Sequence, residues 1–99
     1  MSVQKEGFYI GSAFKLQATW KDFDRVTYLV PDSQEVKVYD PNGTLKATIT
    51  NPTLVGSGVY YITYSTSSTD SEGMWKVVWK VTKDSLSSVK VYYILAVIP

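Results

Sequence analysis

The chain contains no cysteine and no histidine. Without cysteine there can be no disulfide and no thiolate metal site, so stability must come from packing alone. Without histidine, the commonest general base and the commonest transition-metal ligand are both missing. An excess of either charge is also lacking: ten Lys and Arg stand against nine Asp and Glu, a formal charge of +1, with the signs interspersed. That balance leaves no electrostatic footprint for a nucleic acid or a membrane surface. Apolar runs fall short of the roughly 18 residues a membrane span needs, and Met1 to Glu6 has no apolar signal region. The expectation is a chain made in a cytoplasm, free to be assembled there into a larger particle. Phosphate-loop chemistry is absent too, because Gly56-Ser57-Gly58 is too short and precedes a strand, where such a loop needs a helix. Asp22 and Asp24, with Asp70 and Glu72, carry oxygens suited to a hard cation, but their spacing fits no ligand loop and Asp favours turns for its own reasons. The absences together predict a protein that is not an enzyme and has no cofactor and no metal.

Aromatic and β-branched residues are plentiful instead. Eight Tyr and three Trp help bring the aromatic share of the 99 residues to 14%, a composition suited to pleated strands. A chain of this length makes a single domain, 1–99. Period-2 alternation recurs along it. Phe14, Leu16, Ala18 and Trp20 alternate with Lys15, Gln17 and Thr19, predicting a strand with one wet face. Val26–Val30 is strand-like in composition. Val36 and Val38, then Leu45, Ala47 and Ile49, flank Asp40-Pro41-Asn42-Gly43. There Pro41 presets the first turn position and Gly43 tolerates positive φ, which predicts a hairpin with a type I turn and a glycine bulge.

Two runs lie at the centre of this pattern. Tyr60, Ile62 and Tyr64 form one predicted core face, and Trp75, Val77, Trp79 and Val81 form the other. Leu54 and Val55, in the connection before the first run, are expected to fold back under a sheet. Helical periodicity is nowhere long enough to predict a helix. About seven strands at intervals of roughly ten residues therefore predict an all-β, immunoglobulin-like antiparallel β-sandwich.

Several stretches carry a resemblance: Tyr9-Ile10-Gly11-Ser12 leading into the Phe14 strand, the Tyr39 to Thr44 hairpin, Gly58-Val59-Tyr60, and Gly73-Met74-Trp75-Lys76-Val77. In these the chain resembles small immunoglobulin-like modules of bacteriophage and archaeal virus particle proteins and of bacterial surface proteins. The resemblance implies the sandwich fold and a setting in a phage-like virion, in the head or tail. It assigns no functional residue, since the shared positions are structural.

Two surfaces are candidates for function. The last strand, Val89 to Ile98, is apolar on both faces. Tyr92, Ile94, Ala96 and Ile98 form a stripe too apolar for bulk water and are expected to contact protein subunits, by self-association or against other particle proteins. The alternative is a non-catalytic carbohydrate-binding module in which Phe23, Tyr39 and Tyr61, with Tyr92, stack on sugar rings. Against that stands ordinary cross-strand packing of tyrosines on a wet sheet face.

Overall fold

The alternation becomes eight strands in the computed structural model, which describes residues 2–21 and 31–98, and of residues 2–7 the backbone alone. In chain order they are β1 (Ser2–Tyr9), β2 (Ala13–Thr19), β3 (Ser33–Tyr39), β4 (Leu45–Ile49), β5 (Thr53–Gly56), β6 (Val59–Ser65), β7 (Gly73–Lys83) and β8 (Leu86–Val97). They make a five-stranded sheet in the order β1-β8-β7-β3-β4 and a three-stranded sheet in the order β2-β6-β5. The chain passes from one sheet to the other between β1 and β2, between β2 and β3, between β4 and β5 and between β6 and β7, the connectivity of an immunoglobulin-like sandwich. No helix occurs among the described residues. The predicted strand at Val26–Val30 lies outside them.

One pairing departs from the antiparallel expectation. β1 runs parallel to β8, from Ser2 opposite Tyr92 to Tyr9 opposite Val97, with a register shift between Gln4 and Phe8. The polar start of the chain thus covers what would otherwise be the open edge of the most apolar strand.

The core lies where the two inner faces meet. From the smaller sheet come Phe14, Leu16, Ala18, Tyr60 and Ile62; from the larger, Val36, Val38, Trp75, Val77, Trp79 and Val81, all buried. Alternation places these inside: β2, β3 and β7 carry Lys, Gln or Thr on the opposite face, and on β6 the Tyr60 and Ile62 face has the more apolar area. Four rings close a circuit at one end. Phe8 lies 5.0 Å from Phe14 and 6.0 Å from Trp75, and Tyr64 lies 5.8 Å from Phe14 and 6.0 Å from Trp75, all centroid to centroid. These tilted and edge-on arrangements suit the ring quadrupoles.

The turns that fix register are built locally. At Asp40–Gly43 the Gly43 amide donates to the Asp40 carbonyl at 3.0 Å, and Gly43 sits at φ +84°. The Asp40 carboxylate accepts from the amides of Asn42 and Thr44, each at 2.9 Å. Between β7 and β8 the turn is tight. Asp84 and Ser85 both have positive φ, so a two-residue connection joins the paired Lys83 and Leu86. Leu54 and Val55 correct another expectation: they belong to edge strand β5 and are exposed, not tucked under a sheet.

Candidate functional site

The tight turn at Asp84-Ser85 decides which face of β8 meets water. It pairs Trp75 with Ile94 and Val77 with Tyr92. Residues directly opposite in an antiparallel pair point to the same side, and Trp75 and Val77 are completely buried. Tyr92, Ile94 and Ala96 must therefore face the core, where they are 7%, 2% and 1% exposed. The predicted contact stripe is thus corrected at three of its four positions, since these side chains line the interior and cannot meet a partner. Ile98, just beyond the end of β8, is exposed.

The surface face of β8 is its other set, Val89, Val91, Tyr93, Leu95 and Val97, of which Val89 and Leu95 are exposed and the rest half-buried. Register extends this set sideways. Leu95 lies opposite Met74 and Val91 opposite Val78 on β7, while Val97 lies opposite the exposed Tyr9 on β1. The rows continue into β3, where Lys76 lies between Tyr93 and Tyr39, Val78 leads to Lys37, and Lys80 lies between Val89 and Glu35. The outer face of the larger sheet is therefore apolar along β8, mixed along β7, where Met74 and Val78 alternate with Lys76 and Lys80, and charged along β3. Glu35 and Lys37 form an ion pair at 3.5 Å on the charged side.

The remaining sequence candidates do not come together. Tyr39 is half-buried on this outer face with the Lys76 ammonium 5.3 Å from its ring centroid. Tyr61 is half-buried on β6 in the other sheet, its ring under the Lys15 ammonium at 4.1 Å. Each ring already has a cation on one side, and with Tyr92 buried the three do not share a platform. Phe23, like Asp22 and Asp24, lies outside the described residues.

Other polar features hold the fold together. Asp70 accepts from the Ser67 amide at 2.8 Å and pairs with Lys46 at 3.0 Å. The Ser67 bond and the lysine hold the Asp70 carboxyl below the usual carboxylate range, and Asp70 in turn raises Lys46. Lys90 reaches from β8 to the Thr19 carbonyl across the sandwich and lies 4.9 Å from the Trp20 ring centroid. Burial pushes its ammonium down and the Tyr92 hydroxyl up. A polar depression of about 430 Å³, lined by residues that include Asp32, Glu35 and Lys80, opens between β3 and β7. No group of three or more metal-ligating side chains occurs among the described residues.

No protein-family model and no curated protein matches the chain. Solved structures do. Over 96% of its length the chain is similar to part of the endo-β-1,4-mannanase from Thermotoga petrophila, at 18% identity and a TM-score of 0.67. Over 94% it is similar to part of native Escherichia coli α2-macroglobulin, at 20% identity and a TM-score of 0.71. The trypsin-activated form of the Escherichia coli protein matches over 91%, at 19% identity and a TM-score of 0.67. The chain spans 18% of the mannanase and 6% of the macroglobulin. At these identities the likeness shows the sandwich fold.

The outward stripe of Val89, Tyr93, Leu95 and Met74 is what sequence reasoning missed as a surface. A signal for it was present. Once Asp84-Ser85 is read as a two-residue turn, counting back from Lys83 and forward from Leu86 sets Ile94 against Trp75 and turns Leu95 outward.

Proposed function

We propose that the chain is a non-catalytic interaction domain whose working surface is the outer face of the five-stranded sheet, presented to protein subunits. The observation that carries this reading is the continuous apolar stripe along β8, in which Val89 and Leu95, with Met74 beside them, stay open to solvent. Apolar surface gathered this way marks a contact site more often than chance scatter does. The absence of histidine and cysteine from the sequence, and a depression that is open and mainly polar, support a role without catalysis. A phage-like particle as the setting is a proposal that rests on the sequence resemblance alone. Carbohydrate stacking has less support, because Tyr39 and Tyr61 lie on opposite sheets under separate lysines.

A photo-crosslinking residue placed at position 95 and, as control, at position 15 on the other sheet tests the reading in the host cell. Adducts to protein are expected from position 95 and not from position 15. No adduct from position 95, or equal yields from both, would overturn it.

A further inference from the structure

At the tip of the β3–β4 hairpin an electrophile and a nucleophile are neighbours in the chain: the side-chain amide of Asn42, exposed to solvent, and the backbone nitrogen of Gly43. We propose that Asn42 is a site of spontaneous covalent modification, in which the Gly43 nitrogen attacks the Asn42 side chain, and that Asp40 is the positioning residue that holds the turn against it. The Gly43 nitrogen gives up its proton and bonds to Cγ of Asn42, the Cγ–Nδ2 bond breaks, and Nδ2 takes up a proton and leaves as ammonia. The cyclic imide so formed then adds one water. Opening at Cγ leaves an aspartyl residue at position 42, and opening at the main-chain carbonyl leaves an isoaspartyl residue, with an extra methylene in the backbone. Water is the sole co-reactant. The sequence has two asparagines, and the second cannot react this way, because Asn51 precedes Pro52, whose nitrogen carries no proton. Gly43 offers its nitrogen openly: it has no side chain, and a Cβ placed there would meet nothing within 4 Å.

The folded turn opposes the attack through Asp40. The Gly43 N–H, whose proton must leave, donates to the Asp40 carbonyl at 3.0 Å. The Asp40 carboxylate accepts the amides of Asn42 and Thr44, one on either side of Gly43, each at 2.9 Å. On the far side the Asn42 Nδ2 donates to Ser71 Oγ at 3.4 Å, which draws the side chain toward the β6–β7 loop. The Gly43 nitrogen therefore reaches Cγ only when the turn opens, and the rate follows the population of the opened turn. Loss of the Asp40 side chain removes two of these ties and leaves the sequence that reacts unchanged.

Incubation of the purified full chain in mildly alkaline buffer, folded and in guanidinium chloride, tests this. Peptide mapping by mass spectrometry follows positions 42 and 51, and enzymatic isoaspartyl methylation counts the isomer. Ammonia loss is expected at position 42 and not at position 51. It should run at least about tenfold faster in the unfolded chain than in the folded one, as a reaction gated by opening does. Asp40→Ala should bring the folded chain most of the way to the unfolded rate, with far-UV circular dichroism unchanged to show that the sandwich survives. Asp40→Asn keeps an acceptor oxygen at a turn position that suits Asn, and should stay near the wild-type rate. In denaturant all three chains should react alike. An unfolded wild type that stays intact at position 42, or converts equally at position 51, would overturn the site. Equal rates in the folded and unfolded wild type would overturn the protection by the turn. A folded Asp40→Ala chain as slow as wild type, or an Asp40→Asn chain as fast as Asp40→Ala, would overturn the role of the Asp40 carboxylate as the tie.

Discussion

At the scale of the residue, Trp75 ties several parts of the fold together. Its ring is completely buried between Phe8 and Tyr64, and its indole N–H donates back to the Ser71 carbonyl at 2.9 Å. Immunoglobulin domains commonly place a tyrosine near the start of the corresponding strand, with its hydroxyl bonded to backbone a few residues upstream. Here an indole makes the equivalent tie, and Val77, two residues on, stands where antibody domains carry the second cysteine of the intersheet disulfide. Packing alone holds the two sheets at this point, since the chain has no cysteine. Trp75→Phe keeps an aromatic ring but removes the donor and some volume, and should cost about 1–3 kcal/mol. Trp75→Ala should cost about 3–5 kcal/mol. Both are read from the urea midpoint at unchanged slope. A Trp75→Phe midpoint equal to wild type would mean that the bond to Ser71 contributes nothing.

At the scale of the element, the β3–β4 turn and the β6–β7 loop hold each other. Lys46 of β4 pairs with Asp70 of the loop, the Asn42 side chain reaches Ser71 at 3.4 Å, and Pro41 lies against the start of β7 at Gly73. Gly73 has φ +125°, and a Cβ there would sit 3.1 Å from two ring carbons of Pro41. Gly73→Ala should therefore destabilise by about 1–3 kcal/mol. Backbone strain and the clash are separable, because Pro41→Gly in the same chain removes both ring carbons and relieves only the second. Partial recovery of the urea midpoint in the double variant would show the two loops in contact, and none would assign the whole effect to φ. How legible an element is follows from its two faces. β2, β3 and β7 each alternate apolar with charged or polar side chains, so one face is dry by composition and the core could be read off directly. β8 offers no such contrast: with Tyr, Ile and Ala on one side and Val, Tyr and Leu on the other, apolar area cannot choose the buried face. Pairing chose it, through a turn whose Asp84-Ser85 lacks the glycine that usually announces a two-residue hairpin. The predicted contact stripe of Tyr92, Ile94 and Ala96 falls on the buried face for that reason. β5 escaped notice because Leu54 and Val55 look like core residues yet sit on a short edge strand, where composition misleads about depth.

At the scale of the whole molecule, the decisive contact joins the two ends of the sequence. Ser2 pairs with Tyr92 and Val3 with Tyr93, so the β1–β8 pairing closes a loop of nearly the whole chain. Contacts of such separation carry the largest loop-closure cost and tend to form late. They nonetheless cover the edge of a strand that is apolar on both sides, an arrangement that would otherwise invite strand addition by another molecule. Removing residues 1–6 keeps Phe8 and its ring partners but deletes the pairs at Ser2, Val3 and Gln4. The truncated chain should unfold faster while refolding at nearly the wild-type rate, since a contact absent from the transition state acts on the unfolding limb. Its light scattering should also rise with time at concentrations where the full chain is stable. Stopped-flow kinetics across a urea series separates the limbs. A truncated chain that refolds markedly more slowly would place the β1–β8 pair in the folding nucleus, and one unchanged in both rates and in scattering would show that β1 protects nothing.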